Sequence, residues 1–221
     1  MSSRSEGPEA SVKGPEPSAP ANGSGLVPEP TADRAAAGYG AGHRLFHWIS
    51  ALLILATIPV GLAMTSEGFG GVRDGLYVAH KSLGVIILVV LALRVAWRAI
   101  APSPPELPDS VPPLQRRLAE RAHTGLYLLV AIMGVTGYLR VVAGDFPVEI
   151  LEALGIPPLI SGAPDLSRWL SVVHKVGAYL LVAGLAVHVA AAAHHALIRR
   201  DGVFRRMWPP WAPRSSEERS S

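Results

Sequence analysis

Residues 171–198 read SVVHKVGAYLLVAGLAVHVAAAAHHALI. A bilayer is crossed by a helix of about 20 predominantly apolar residues, and this run is long and apolar enough to do so. Two of its four histidines, His174 and His188, stand fourteen residues apart. At about 100° per residue, fourteen steps fall about 40° short of four full turns. Both rings therefore leave the helix on nearly one face. Their axial separation is about 21 Å at about 1.5 Å per residue. One helix thus presents two imidazoles to one interior, near opposite membrane surfaces. A lone histidine there would read as a side chain hydrogen-bonded to a neighbouring helix. A set with matched geometry points to function, because ionisable groups within a membrane are costly.

Three further segments have the same character: LFHWISALLILATIPVGLAM over about 45–64, YVAHKSLGVIILVVLALRVAWRA over about 77–99 and AHTGLYLLVAIMGVTGYLRVV over about 122–142. With 171–198 they predict an all-α integral membrane four-helix bundle, up-down-up-down. Helices this apolar around their circumference would not stay in solution as a bundle. Pro59 falls near the end of the first helix, where a membrane helix tolerates a kink. Composition agrees. Charged residues are 17% of the 221 and mean hydropathy is +0.31, whereas a soluble domain carries about 25% charged residues. The low value is reached despite residues 1–42, a Pro/Gly/Ser/Ala-rich stretch that buries too little apolar surface to offset ordering entropy. It is expected to be a disordered tail, and no apolar core follows Met1 as a secretory signal would require. Residues 43–209 are then the membrane domain and 210–221 a second disordered tail.

Charge sets the expected orientation. Arg44, Arg94, Arg98, Arg116, Arg117, Arg121, Arg199, Arg200, Arg205 and Arg206 fall on one side if four helices alternate. The other side carries Glu67, Asp74 and Arg73 in a short loop, and Asp145, Glu149, Glu152, Asp165 and Arg168 in a longer one with room for a short helix around 148–154. The positive-inside rule then places both termini in the cytoplasm. Trp48, Trp97, Trp169 and Tyr77 fit an interfacial aromatic belt. The net charge of +3 carries no nucleic-acid signature.

Depth pairs the histidines. His174 and His80 each lie a few residues into helices that run from outside to inside. His188 lies near the inner end of its helix, and His47 lies two residues into the first helix, which starts at the inner edge. The pairs are His80 with His174 outside and His47 with His188 inside. Two imidazoles on opposing helices suit the axial positions of haem iron, and bundle interiors supply slots for the macrocycle. Gly84, Gly177 and Gly184 would permit close approach. Zinc, with its four tetrahedral ligands, is a poorer fit, since the pairs offer no carboxylate. There is no cysteine, which excludes disulfides, thiol nucleophiles, cysteine-held iron–sulfur clusters and c-type haem attachment. Bis-His ligation leaves no open iron position and favours electron transfer over oxygen binding.

Several motifs join these histidines: His47-Trp48; His80-Lys81-Ser82-Leu83-Gly84 running on to Arg94; PSPPELPDSVPPLQRRLAERAH before the third helix; the fourteen-residue His spacing with HVAAAAHH; and RDGVFRRMWP at the end. Together they resemble the bacterial cytochrome b561 family over about residues 42–209. The resemblance implies a four-helix di-haem b cytochrome of the bacterial inner membrane. It implies that His47 and His188 ligate an inner haem iron, and His80 and His174 an outer one. It also implies electron transfer between a small partner outside, such as superoxide or a redox protein, and membrane quinone, ubiquinone in one known activity. An enzyme of the superoxide:ubiquinone oxidoreductase type, or otherwise an electron carrier, is the expected function. The N-terminal extension departs from the compact family form.

The other histidines read differently. His195, seven residues after His188 and about 20° off its face, is a rival ligand, but it would put the sites about 31 Å apart along the helix, the full hydrocarbon thickness and a worse fit. His194 and His195 are expected at the cytoplasmic interface, His123 at an interface or propionate contact, and His43 in solvent. Lys81 and Lys175 follow the two outer histidines directly. With Arg140 they form a candidate positive rim that would draw in a small anion; snorkelling to the interface is the plainer reading. Two other readings share the histidines. One is a cytochrome subunit serving a larger dehydrogenase or a periplasmic protein. The other is a metal or ion transporter, which would be colourless and would call for mid-membrane carboxylates that these helices lack.

Overall fold

The computed structural model describes residues 39–102 and 111–208. The tails expected over 1–42 and 210–221 lie outside the described residues, apart from positions 39–42. Four helices among the described residues are long and apolar enough to cross a membrane. They are α1 (Ala41–Ala63), α2 (Arg73–Ile100), α3 (Pro113–Ala143) and α4 (Pro164–Ala193). Each starts ahead of its apolar run. Hydropathy marks the bilayer, whereas helix continues wherever good formers continue. PLQRRLAERA is rich in Leu, Gln, Arg and Ala, so α3 runs on in polar sequence. Proline occupies the first turn of both α3 and α4, where its missing N–H costs nothing. His43, expected in solvent, is inside α1, with its ring against Tyr39 and Trp97.

The helices pair as hairpins. α1 packs extensively on α2 and α3 on α4, and α2 and α3 join the two hairpins. By contrast α1 and α4 make at most marginal backbone contact, and so do α2 and α4. Those gaps lie between the helices that carry the paired histidines. Few side chains are fully enclosed. Leu170, Leu181, Val130 and Val142 are buried, while Leu52, Leu62, Tyr179 and Val187 are exposed and belong against lipid.

At the α1–α2 turn a 3-10 segment, Glu67–Val72, is tied by Arg73 Nη2 donating to the Ser66 carbonyl (3.0 Å). At the same end the α3–α4 loop holds a one-turn helix, Glu149–Ala153, at the expected place. This loop is stitched to the bundle. Ala163 N–H donates to the Ala143 carbonyl (2.9 Å), Ser167 Oγ to the Arg140 carbonyl (2.6 Å) and Leu159 N–H to the Tyr138 hydroxyl (3.1 Å). At the opposite, Arg-rich end, α4 passes into a π-helical turn, His194–Arg199, which Arg200 ends at φ 50°. The chain then folds back as a cap. Trp48 Nε1 donates to the Met207 carbonyl (2.8 Å) and the Tyr39 N–H to the Arg206 carbonyl (3.1 Å). Trp208 packs edge-on to Trp48 and stacks on Phe204.

Candidate haem sites

Each gap holds a cleft. One, at the loop end, takes in about 580 Å³ of empty space, its open mouth included, and is lined by His80, His174, Gly84, Met133, Gly137 and Arg140 among others. The second, at the Arg-rich end, takes in about 550 Å³ counted the same way and is lined by His47, His188, Ser50, Arg94, His123 and Tyr127 among others. The two clefts occupy opposite ends of the bundle, about 21 Å apart by the rise along α4.

The ring spacings decide what could sit there. The His80 and His174 ring centres are 6.3 Å apart, and those of His47 and His188 are also 6.3 Å apart. That is too far for a direct imidazole–imidazole hydrogen bond. A metal–imidazole bond of about 2 Å on each side, plus about 1 Å from nitrogen to ring centre, spans about 6 Å. Both pairs thus stand at a separation at which two imidazoles would share one metal ion between them. Apart from these polar side chains the walls are mostly apolar, as a macrocycle requires. Around Gly84 a Cβ would meet nothing within 4 Å, so the slot at the loop end is open one turn beyond His80. Gly177 and Gly184, by contrast, admit Met133 and Leu126 side chains from α3, at 2.8 Å and 3.3 Å from an added Cβ. The chain's residues fit haem on spacing, slot and donor type.

The supporting contacts differ between the ends. At the loop end His174 Nδ1 donates to the Met133 carbonyl (3.1 Å), leaving Nε2 for the cleft. The rings of His80 and His174 each seat against a glycine of the neighbouring helix. A Cβ at Gly61 would lie 2.9 Å from His80 Cε1, and one at Gly137 2.9 Å from His174 Cε1. At the Arg-rich end no glycine among the described residues plays that part. Arg94 Nη2 instead approaches His47 Nδ1 (3.3 Å), and its guanidinium lies over the Tyr127 ring (4.8 Å). His123 faces His188 at 5.4 Å between ring centres.

These contacts were not singled out from the sequence, yet a signal for them is there. The fourteen-residue spacing of His174 and His188 recurs on every helix: His47 and Gly61 on α1, His80 and Arg94 on α2, His123 and Gly137 on α3. The α1–α2 and α3–α4 hairpins are therefore equivalent. His123 stands where His47 stands, Arg94 where His188 stands, and each glycine beside the histidine of its own hairpin. Only α4 keeps histidine at both positions.

The remaining candidates are also placed. Lys81 and Arg140 line the loop-end cleft, while Lys175 is exposed and outside that lining. Lys81 is 15% exposed and committed: its Nζ donates to Glu149 Oε1 (2.6 Å) and to the Pro147 carbonyl (2.7 Å). Burial acts to raise the Glu149 carboxyl, but the Lys81 hydrogen bond and charge outweigh it and hold the group below the usual range. His195 turns away from the clefts and donates from Nδ1 to Asp201 Oδ2 (2.6 Å). His194 is exposed.

Four transmembrane helices with paired histidines in two interior slots define a membrane cytochrome of the b type. Residues 38–210 match the family model for prokaryotic cytochrome b561, and the chain belongs to that family. It is 31% identical over 173 residues to cytochrome b561 homolog 2 of Escherichia coli (strain K12), covering 76% of this chain and 90% of that protein. It is 26% identical over 165 residues to the probable superoxide oxidase CybB of Yersinia pestis, covering 74% of this chain and 91% of that protein. This is accordingly a multi-pass protein of the bacterial inner membrane that binds haem b and transfers electrons.

Proposed function

We propose that the protein is a di-haem cytochrome passing electrons from a small anionic donor, superoxide in the first instance, to membrane quinone. The equal 6.3 Å spacing of two histidine pairs at opposite ends of the bundle carries this reading. Haem b bound at each pair supplies reversible one-electron transfer at iron. His47 and His188 hold the inner group, and His80 and His174 the outer. The arginine concentration of one end supports a cytoplasmic position for it and for both termini.

The chain's own part is positioning, steering and exclusion. Gly61 and Gly137 set the depth of the outer rings, and the Met133 carbonyl orients His174. Apolar walls exclude water from both slots. Arg140 supplies positive potential at the outer cleft and the exposed Lys175 adds to it from outside the lining, while Glu149 neutralises Lys81 and trims that potential. A superoxide donor is supported by the CybB relative, a probable superoxide oxidase.

The test is haem per chain and the oxidised and dithionite-reduced spectra of the purified protein. Two low-spin b haems are expected. His47→Ala or His188→Ala should each remove one, His80→Ala or His174→Ala the other, and His123→Ala neither. A single haem, or loss of one in His123→Ala, would overturn the assignment.

A further inference from the structure

We infer that Arg94, acting through His47, sets the inner haem at a higher reduction potential than the outer one. The molecule then carries a built-in direction for electrons, from the outer pair to the inner. The inference rests on the di-haem reading above.

The two ends treat their ligand candidates oppositely. His174 donates Nδ1–H to the Met133 carbonyl (3.1 Å). A carbonyl acceptor at the distal nitrogen raises the basicity of a ligating imidazole and stabilises the more positive, oxidised metal. At His47 the corresponding nitrogen meets a guanidinium (3.3 Å). Arg94 has only donors, so Nδ1 accepts in this contact; were Nε2 to hold iron, the ring proton would move to Nδ1 and face the cation, where His174 finds an acceptor. A fixed cation in a low-dielectric slot opposes the extra positive charge of the oxidised state. It also withholds the basicity that a carbonyl would confer. Both effects favour the reduced state at the inner end.

Arg94 is held for this role. It is half-buried, its guanidinium stacks over Tyr127 (4.8 Å), and among the described residues no carboxylate pairs with it. Lys81, the matching cation risk at the outer end, is neutralised by Glu149. Arg140 adds a cation to the outer cleft as well, but among the described residues no hydrogen bond joins it to either outer ring, and the His174 Nδ1 is taken by a carbonyl. Position 94 is the equivalent of His188 in the other hairpin, so the cation replaces a would-be ligand at a site aimed into the slot.

The experiment is spectroelectrochemistry of the full-length protein in detergent, followed at the haem bands, with haem counted in every sample. Two one-electron waves are expected. His47→Ala, which keeps the outer pair, should lose the higher wave. Arg94→Gln should lower that wave alone by at least a tenfold change in the reduced-to-oxidised ratio, about 59 mV for one electron. Arg94→Lys should lower it less. Loss of the lower wave in His47→Ala, an unmoved higher wave in Arg94→Gln (as when a haem propionate neutralises the arginine), or equal movement of both waves would each overturn the inference. Should Arg94→Gln shed the inner haem, the His47→Ala assignment and the Arg94→Lys shift decide it. A wild-type count below two overturns the di-haem reading itself, which the haem assay shows before any potential is measured.

Discussion

Gly61 and Gly137 show how much one missing methyl group does in this bundle. Each faces the imidazole of a neighbouring helix at a distance no ordinary Cβ tolerates (2.9 Å). Gly61→Ala or Gly137→Ala must therefore push His80 or His174 into the slot or spread the helices, an overpacking cost of about 1–3 kcal/mol. The expected result is a several-fold loss of the outer haem with the inner one retained, read from haem content and the reduced spectrum. Neither glycine stands out in a membrane sequence, where glycine is common. Their meaning lies in what stands opposite. The same holds for Arg94: it reads as a positive-inside residue, and the structure turns it towards His47.

At the scale of elements, the C-terminal cap is the part that departs most from a plain bundle. The π turn brings His195 and Asp201 together at 2.6 Å, Arg199 Nε lies 3.4 Å from the same carboxylate, and Val203 N–H donates to Asp201 (3.3 Å). Burial works to raise the Asp201 carboxyl. The His195 hydrogen bond, the Val203 N–H and the nearby positive charges outweigh it, so the net displacement is downward. A carboxyl depressed in the folded state stabilises above its unfolded value, about pH 4, and loses that contribution as pH falls through the lower folded value. The cap over residues 195–208 should accordingly hold at neutral pH and loosen only in acid. Asp201→Asn should loosen it at neutral pH as well. Hydrogen exchange over this segment, corrected for intrinsic rate at each pH, measures both.

Across the whole molecule, the two ends divide the electrostatic labour. The Arg-rich end gathers cations at the membrane surface, while the loop end mixes acids and bases and tunes one cleft mouth. This arrangement makes a prediction of opposite signs. Lys175→Gln and Arg140→Gln should slow superoxide oxidation by a few-fold at low salt and flatten its salt dependence. Glu149→Gln, which releases Lys81 from its partner, should speed it under the same conditions. Stopped-flow rates against ionic strength separate the cases, and identical salt slopes in all three variants would remove the steering role.

The four-helix membrane fold was legible from the chain alone, because lipid demands long apolar helices and leaves few alternatives. The proximity of His80 to His174, and of His47 to His188, was also legible: helical rise converts sequence position into depth, and alternation sorts depths into ends. Helix starts were not, since apolar runs record the bilayer and polar helix continues beyond it. Nor was His43, which the early start of α1 carries onto Trp97. Only the tertiary structure could decide which residue stands against which ring. Placing glycines behind two histidines, a carbonyl behind one and a guanidinium behind another requires the rotation of each helix about its own axis. That rotation is set by packing between neighbours, and spacing along a single helix does not contain it.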